Sequence, residues 1–545
     1  MQYERSFIET KQLISNLLSI IDVDYNISNK MVVKNSIYST RIEISQLGEG
    51  CNGKGTEVLV SETCAMAELI ERLFSMNLTG RLFRIKKQGE CRENYFDIET
   101  IRNFVIKNLT IDDDIKDSIV SYLIDNNYTL LMNFISVENN KEIKLPIKLI
   151  NYQCGSNGLA AGNNFYESMI KGIEENFERY CAKQVFLNEY GCNNIPENCI
   201  KDISVLTLLE KLRNKNYNVS LKDFSLNGKL PVAGLLVENA NATKAILKVA
   251  CDVNLDNAIN KCLHELFQGR VFDDSFDDSF IEINHIENYN TEIEYIKFVK
   301  NSSGLVNNII LSNEIVVLDN LKVFRDITST KEIYEYLIEI INKNKMELFY
   351  YTYLSGDFFV HKVYISNISE LLSINKDTLQ LFQEEKNFVE VFRKINEGRN
   401  YEVIIDLLDS LKYVYNDNVI TTIYGIPKNM LKKSPYLNDN LLYSWCYFKK
   451  QDYVSCIQYL EMYKMQLSNK MASCMIEKLI QFLHDNNLDK QINNPFYKIL
   501  INDYKFVNCP NCTECYYKND CSFEYVIDLE KKVEDLKVYD EYNQK

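Results

Sequence analysis

Basic charge is what this chain lacks first: 61 Lys and Arg stand against 76 Asp and Glu, a formal charge of −15. With no basic excess to neutralise phosphates, a nucleic-acid partner is excluded. A basic peptide partner stays open, as does simple solubility. Histidine is scarce. His264, His285, His361 and His484 are too few and too dispersed for a His-built metal site or a catalytic triad. No apolar run approaches a membrane span, and Met1–Gln2–Tyr3–Glu4–Arg5 has nothing of a signal peptide, so no membrane partner and a cytoplasmic location are expected. The 16 Cys include several inside apolar segments, such as Val249–Ala250–Cys251 and Trp445–Cys446–Tyr447. Outside one C-terminal cluster they show no disulfide-like spacing, which fits buried reduced thiols.

What is present is enough for two or three domains, since 545 residues exceed one ordinary core. Up to about residue 370 the pattern alternates as in an α/β fold. Strand-like runs, rich in β-branched and aromatic residues, are Tyr38–Ser45, Pro146–Gln153, Val232–Val237, Ala245–Val253, Glu347–Leu354 and Phe358–Ile365. Helical periodicity marks Thr10–Ile21, Thr56–Met76, Tyr166–Phe186 and Leu255–Gln268, with a further helix at Ile115–Ile124. From about Asp377 strand signals fade. Lys386–Arg399, Tyr401–Tyr413, Asn438–Lys449, Tyr453–Gln466 and Lys470–His484 read as successive amphipathic helices, a TPR-like array. A cysteine cluster and a charged helix, Val526–Tyr539, close the chain. The expected divisions are residues 1–375, 376–500 and 501–545.

The pentad Glu-x-x-Glu-Arg occurs twice, as Glu68–Leu69–Ile70–Glu71–Arg72 and Glu175–Asn176–Phe177–Glu178–Arg179. Each copy is expected on a helix that follows a glycine-rich loop, Asn52–Gly53–Lys54–Gly55 or Ser156–Asn157–Gly158–Leu159–Ala160–Ala161–Gly162. Two Glu at i, i+3 share a helix face. One copy alone reads as a solvated face, with Glu68–Arg72 an i, i+4 ion pair. Two copies after similar loops, and a third variant at Glu265–Leu266–Phe267–Gln268–Gly269–Arg270, ask for more. So many carboxylates repel unless cations sit among them, and hard oxygen donors suit Mg²⁺, which usually also holds phosphates. The stretch Gly48–Lys54 fits Gly-x4-Gly-Lys, yet Gly55 follows where a P-loop needs Ser or Thr, so a P-loop is rejected.

Gly53 through Arg72, Ser156 through Arg179 and Ala258 through Arg270 resemble, in order, the three helices of the YcaO family's nucleotide site. The resemblance spans roughly residues 1–370, and the later helices look like the TPR-like extension of stand-alone bacterial YcaO proteins. It implies an α/β fold with a YcaO-like ATP-binding core, followed by an α-helical array and a short Cys-rich segment. It further implies ATP and Mg²⁺ as cofactors and phosphorylation of a peptide-backbone amide oxygen, so that a nucleophile can add to the amide carbon. By resemblance Glu68, Glu71, Glu175 and Glu178 hold Mg²⁺ and phosphates, and Arg270 contacts phosphate. Cys64, Arg72, Ser156, Asn157, Glu167, Lys171 and Arg179 complete the ATP-binding set, with Arg5 and Thr10 loosely matching a further segment. Lys362 sits where relatives often place Arg. Cys64 stands where relatives have Ser, and Lys171 where Gln is common. The chain ends without the proline-rich tail of azoline-forming members. The implied reactions are cyclodehydration, thioamidation or, alternatively, an accessory role beside a methylthiotransferase. The implied partners are a peptide or protein substrate, a sulfur-transfer or precursor-recognition protein, and a second copy in a homodimer. No side chain is nominated as general base.

Outside the resemblance, Cys509, Cys512, Cys515 and Cys521 have C-x2-C-x2-C-x5-C spacing, compact enough for four thiolates on Zn²⁺ or an iron–sulfur cluster. The acidic repeat Phe272–Asp273–Asp274–Ser275–Phe276–Asp277–Asp278–Ser279 lacks the spacing of a Ca²⁺ loop and reads as a solvated loop.

Overall fold

The computed structural model describes residues 5–543 apart from 34–35, 76–101, 106–108, 110, 126–130, 188–189, 269, 271, 274–275, 284–290, 293–294, 297–308, 399, 416–417, 425–437, 468–469, 486–491 and 505–522. Helix α1 (Phe7–Ile20) starts on a reciprocal cap in which the Ser6 hydroxyl accepts from the Glu9 N–H and Glu9 accepts from the Ser6 N–H at 2.8 Å. Strands β1 (Tyr25–Val33), β2 (Ile37–Ile44) and β3 (Glu49–Gly55) then form an antiparallel sheet in that order, and helix α2 (Val58–Phe74) packs against β2 and β3.

The expected loop at Asn52–Gly55 is therefore the end of an edge strand, with Gly53 opposite Thr40 and Gly55 opposite Tyr38. Its glycines serve packing: a Cβ at Gly53 would run into the Ser61 carbonyl and the Ala65 nitrogen of α2. The second loop is likewise part strand, since Leu159–Gly162 pairs with residues 359–362.

Helix α3 (Lys116–Asp125) precedes β4 (Leu131–Ser136) and β5 (Glu142–Pro146). The expected strand Pro146–Gln153 is instead helix α4 (Ile147–Cys154). Its β-branched content suggested a strand, but Ile147, Ile150 and Cys154 share a buried face at i, i+3 and i+7, a helical period. Next come β6 (Leu159–Gly162), α5 (Phe165–Phe186), α6 (Ile203–Arg213), β7 (Asn218–Asp223), β8 (Val232–Glu238), β9 (Lys244–Cys251), α7 (Leu255–Phe267), β10 (Ile281–Glu282), α8 (Thr330–Lys343), β11 (Leu348–Leu354) and β12 (Phe359–Ile365). They build a five-stranded sheet, β5-β4-β11-β12-β6, and a four-stranded sheet, β10-β9-β8-β7. Helices and strands alternate as expected, but the ladders between these strands are all antiparallel.

Helix α5 touches both sheets. Its buried Met169, Ile170, Ile173 and Phe177 share one apolar cluster with Val363 of β12 and Leu247 of β9. This central helix carries the second pentad.

Helices α9 (Lys376–Arg393), α10 (Tyr401–Tyr415), α11 (Val419–Tyr424), α12 (Asp439–Lys449), α13 (Tyr453–Gln466), α14 (Lys470–His484), α15 (Pro495–Ile501) and α16 (Phe523–Asn543) complete the described chain. Helix α9 begins ten residues before the expected Lys386, because Asn375 and Thr378 cap each other reciprocally. Its Phe382 ring lies 5.8 Å from Tyr122 and 5.1 Å from Tyr152, so the apolar core runs unbroken into the helical array. No helix among the described residues is long and apolar enough to cross a membrane.

Candidate functional site

The site is built by α2, α5 and α7, with β3 and β9 between them. On α2 the spacing of Cys64, Glu68, Glu71 and Arg72 puts all four on or beside one face, opposite the buried Leu69, Ile70 and Leu73. Arg72 lies 3.6 Å from Glu68 and 3.6 Å from Glu71, so the ion pair expected of a solvated face does form. It does not settle the charge. Burial pushes the Glu71 carboxyl up to about 8, Arg72 opposes that, and Glu175 and Glu68 add to it. Glu68 is raised in the same way, by burial and then by Glu175. Glu178 is also raised, by burial and by Glu175, with Arg179 at 3.9 Å opposing. The carboxylates of α2 and α5 thus share one electrostatic neighbourhood.

Among the described residues no three His, Cys, Asp or Glu side chains already stand close enough to hold a metal ion by themselves. Glu175 is held by the Gly158 N–H, which donates to its Oε2 at 3.0 Å. The donor set nevertheless suits Mg²⁺, which takes one or two carboxylates and completes its octahedron with water and phosphate oxygens rather than an all-protein cage. Crowded carboxylates that raise one another's pKa are stabilised by a cation.

Lys54, on β3, is the cation at the centre. It pairs with Glu265 of α7, lies 3.5 Å from the Gln268 side-chain oxygen, and is felt by Glu178 and Glu68. Burial pulls its ammonium down to about 8 against the attraction of those acids. Lys248 of β9 is pulled down to about 7, by burial and then by Arg270, Lys54 and Arg179. Lys54 falls in the Gly-x4-Gly-Lys stretch and in the segment that resembles the family's first signature, whereas Lys248 falls in no motif. The legible signal for Lys248 is a single charge inside the apolar run Ala245–Cys251. Glu265, quoted only as part of a variant motif, is Lys54's partner.

The other expected residues are held by hydrogen bonds to the protein itself. Glu167 is fully buried, accepting from the Asn163 N–H at 3.0 Å and the Asn163 side chain at 3.1 Å. It shapes the entry to α5. Thr10 donates to Asn163 Oδ1 at 2.8 Å, and Arg5 bonds Asp357. Lys171 donates to the Ala161 carbonyl at 2.9 Å. Asn157 is buried and donates to the Ser369 carbonyl at 2.9 Å, while the Ser156 carbonyl accepts from the Leu159 N–H. Lys362 is buried beneath that turn, donating to the Gly155 and Asn157 carbonyls at 2.8 and 2.6 Å. Arg270 donates to Ser279 Oγ at 2.8 Å and to the Leu266 carbonyl at 3.2 Å. The acidic repeat is anchored by Phe272 and Phe276, whose rings pack on Phe267. Cys509, Cys512, Cys515 and Cys521 lie outside the described residues.

A protein-family model described as YcaO cyclodehydratase, ATP- and Mg²⁺-binding, matches residues 52–369. An uncharacterized protein of Haemophilus influenzae is 23% identical over 351 residues, covering 59% of this chain and 57% of its own length. The ribosomal protein S12 methylthiotransferase accessory factor of Escherichia coli is 24% identical over 249 residues, covering 44% of this chain and 40% of its own. The chain therefore spans about half the length of these relatives. Similar solved structures include a Methanopyrus kandleri protein bound with AMPPCP and Mg²⁺, at TM-score 0.45 and 16% identity, covering 67% of this chain and 91% of that one. A heterocyclase in complex with substrate and cofactor matches at TM-score 0.44 and 12% identity, covering 68% of this chain and 53% of that one.

Proposed function

The chain belongs to the YcaO family, and from that membership we propose that it binds ATP with Mg²⁺ and phosphorylates a backbone amide oxygen of a peptide or protein. The observation that carries the reading is the meeting of the α2 and α5 carboxylates around one neighbourhood that also holds Lys54. Glu68, Glu71, Glu175 and Glu178 are the residues that would hold Mg²⁺, which when bound offsets phosphate charge. Lys54, Lys248 and Arg270 supply the positive side facing a triphosphate.

An amide oxygen is a poor leaving group. Transfer of the γ-phosphoryl group to it, with ADP departing, turns it into one that leaves as phosphate once a nucleophile has added to the amide carbon. Such transfer needs positioning and fixed charge more than covalent help from the protein. Arg72 and Arg179 steady the carboxylates, and the Gly158 N–H fixes Glu175. Cyclodehydration and thioamidation both begin with this activation.

A second reading is an ATP-binding accessory role beside a methylthiotransferase or other modifying enzyme. It is favoured by similarity to the Escherichia coli accessory factor. Incubation with ATP, Mg²⁺ and peptides bearing Ser, Thr or Cys separates the two. Peptide-dependent release of ADP and phosphate is expected of the enzyme, whereas turnover indifferent to every peptide contradicts it and favours the accessory role.

We further propose a cytoplasmic protein in three parts, 1–375, 376–500 and 501–545, that pairs as a homodimer and works with a sulfur-transfer or precursor-recognition protein. Its Cys509, Cys512, Cys515 and Cys521 would hold Zn²⁺ or an iron–sulfur cluster. Metal analysis with an anaerobic absorption spectrum tests the last point, and protein purified without metal would remove it.

A further inference from the structure

We propose that Lys261 is a positioning residue for the nucleotide site, holding α5 at the rotation that aims Glu175 and Glu178. The Lys261 ammonium meets three acceptors from two further elements: Glu174 Oε2 of α5 at 2.8 Å, Asp252 Oδ2 just past β9 at 2.8 Å, and the Cys251 carbonyl at 2.9 Å. An ammonium has three hydrogens, so this set saturates it. The Glu174 and Asp252 side chains are only 9% and 11% exposed. Without Lys261 they would be two buried like charges beside the site.

Helix geometry turns this contact into aim. Glu174 and Glu178 lie one turn apart on the same face, and Glu175 follows Glu174 directly. Fixing Glu174 therefore fixes the azimuth of both members of the second pentad. Asp252 also grips the start of α7, accepting from the Asn254 N–H at 2.9 Å and the Asn257 side chain at 3.3 Å. Lys261 itself belongs to α7, one turn before Glu265, the partner of Lys54. One lysine head thus registers the helix of the second pentad against the helix of the third motif. It lies within Ala258–Arg270, the segment that resembles the family's third signature, but is not among the residues expected to bind the nucleotide.

This inference rests on the nucleotide-site reading, and the experiment keeps the two apart. Affinity for AMPPCP is measured by calorimetry at 10 °C across a range of Mg²⁺ concentrations, alongside thermal melts, for the full chain and for Lys261→Met, Lys261→Arg and Glu174→Gln. Lys261→Met is expected to weaken Mg²⁺-dependent AMPPCP binding about tenfold or more, or ~1.4 kcal/mol, and to raise the Mg²⁺ needed. Lys261→Arg is expected to restore most of it. A purely structural tie would lower the melting temperature and leave the Mg²⁺ dependence unchanged, which overturns the inference. Should Lys261→Met not fold, Glu174→Gln decides: a shifted Mg²⁺ dependence supports the role, and a wild-type one overturns it. Wild-type protein that binds no AMPPCP sinks the site reading itself, and the inference with it.

Discussion

His361 shows how a single buried side chain writes a pH dependence into this protein. It is 1% exposed, hydrogen-bonds Ser168, and burial pulls its imidazole from 6.5 down to about 3. The folded state holds it neutral, whereas the unfolded chain takes up a proton below pH 6.5. Its contribution to stability is thus present above pH 6.5 and is lost as pH falls from there towards 3, at roughly 1.4 kcal/mol per pH unit. Urea unfolding between pH 7 and 4 should show this slope reduced in His361→Gln; an unchanged slope would contradict it. The same scale explains what the sequence could reveal about the site. Glu68, Glu71, Glu175 and Glu178 are legible because their i, i+3 spacing is local. Lys54 and Lys248 are not, since strand pairing, invisible in a spacing pattern, carries them in. Glu167, expected by resemblance in the pocket, accepts from the Asn163 N–H and side chain.

Among the elements, the glycine segments decide how closely the site helices approach their strands. Gly53 lies under α2, and Gly158, at φ +77°, lies where a Cβ would strike the Val363 carbonyl. Gly53→Ala should therefore push α2 off β3, costing about 2 kcal/mol or more by overpacking and weakening nucleotide binding with it. Chemical denaturation checks this, and a variant as stable as wild type would refute the packing role. Glycine runs look alike in loops and in tightly covered strands, which is why Asn52–Gly55 and Ser156–Gly162 read as loops. The helix at Ile147–Cys154 was hidden by its β-branched residues. The start of α9 was hidden because Thr378, not Glu or Gln, completes its cap.

At the scale of the whole molecule, the helical array continues the core of the nucleotide-binding part. Phe382 inserts between Tyr122 and Tyr152, and Thr378 meets the Tyr152 hydroxyl at 3.3 Å. Residues as far apart in the chain as Ile14 and Val533 belong to the same buried apolar cluster. A chain truncated after residue 375 should lose the cover of Tyr122 and Tyr152 and melt well below the full chain, as differential scanning calorimetry would show. A fragment with the melting temperature of the full chain would mean the array is independent. The change of composition near Asp377 was legible; the continuity of the core across it was not, because it depends on contacts between distant residues. The chemistry proposed for this molecule depends on α2 and α5 converging on one nucleotide. Calorimetric titration with Mg²⁺ and ATP, on wild type and on Glu178→Gln, tests that most directly. Wild type should bind only with Mg²⁺ present, and Glu178→Gln should keep its circular dichroism while losing about a hundredfold in affinity, or ~2.7 kcal/mol. Equal affinity in the two proteins would contradict the account.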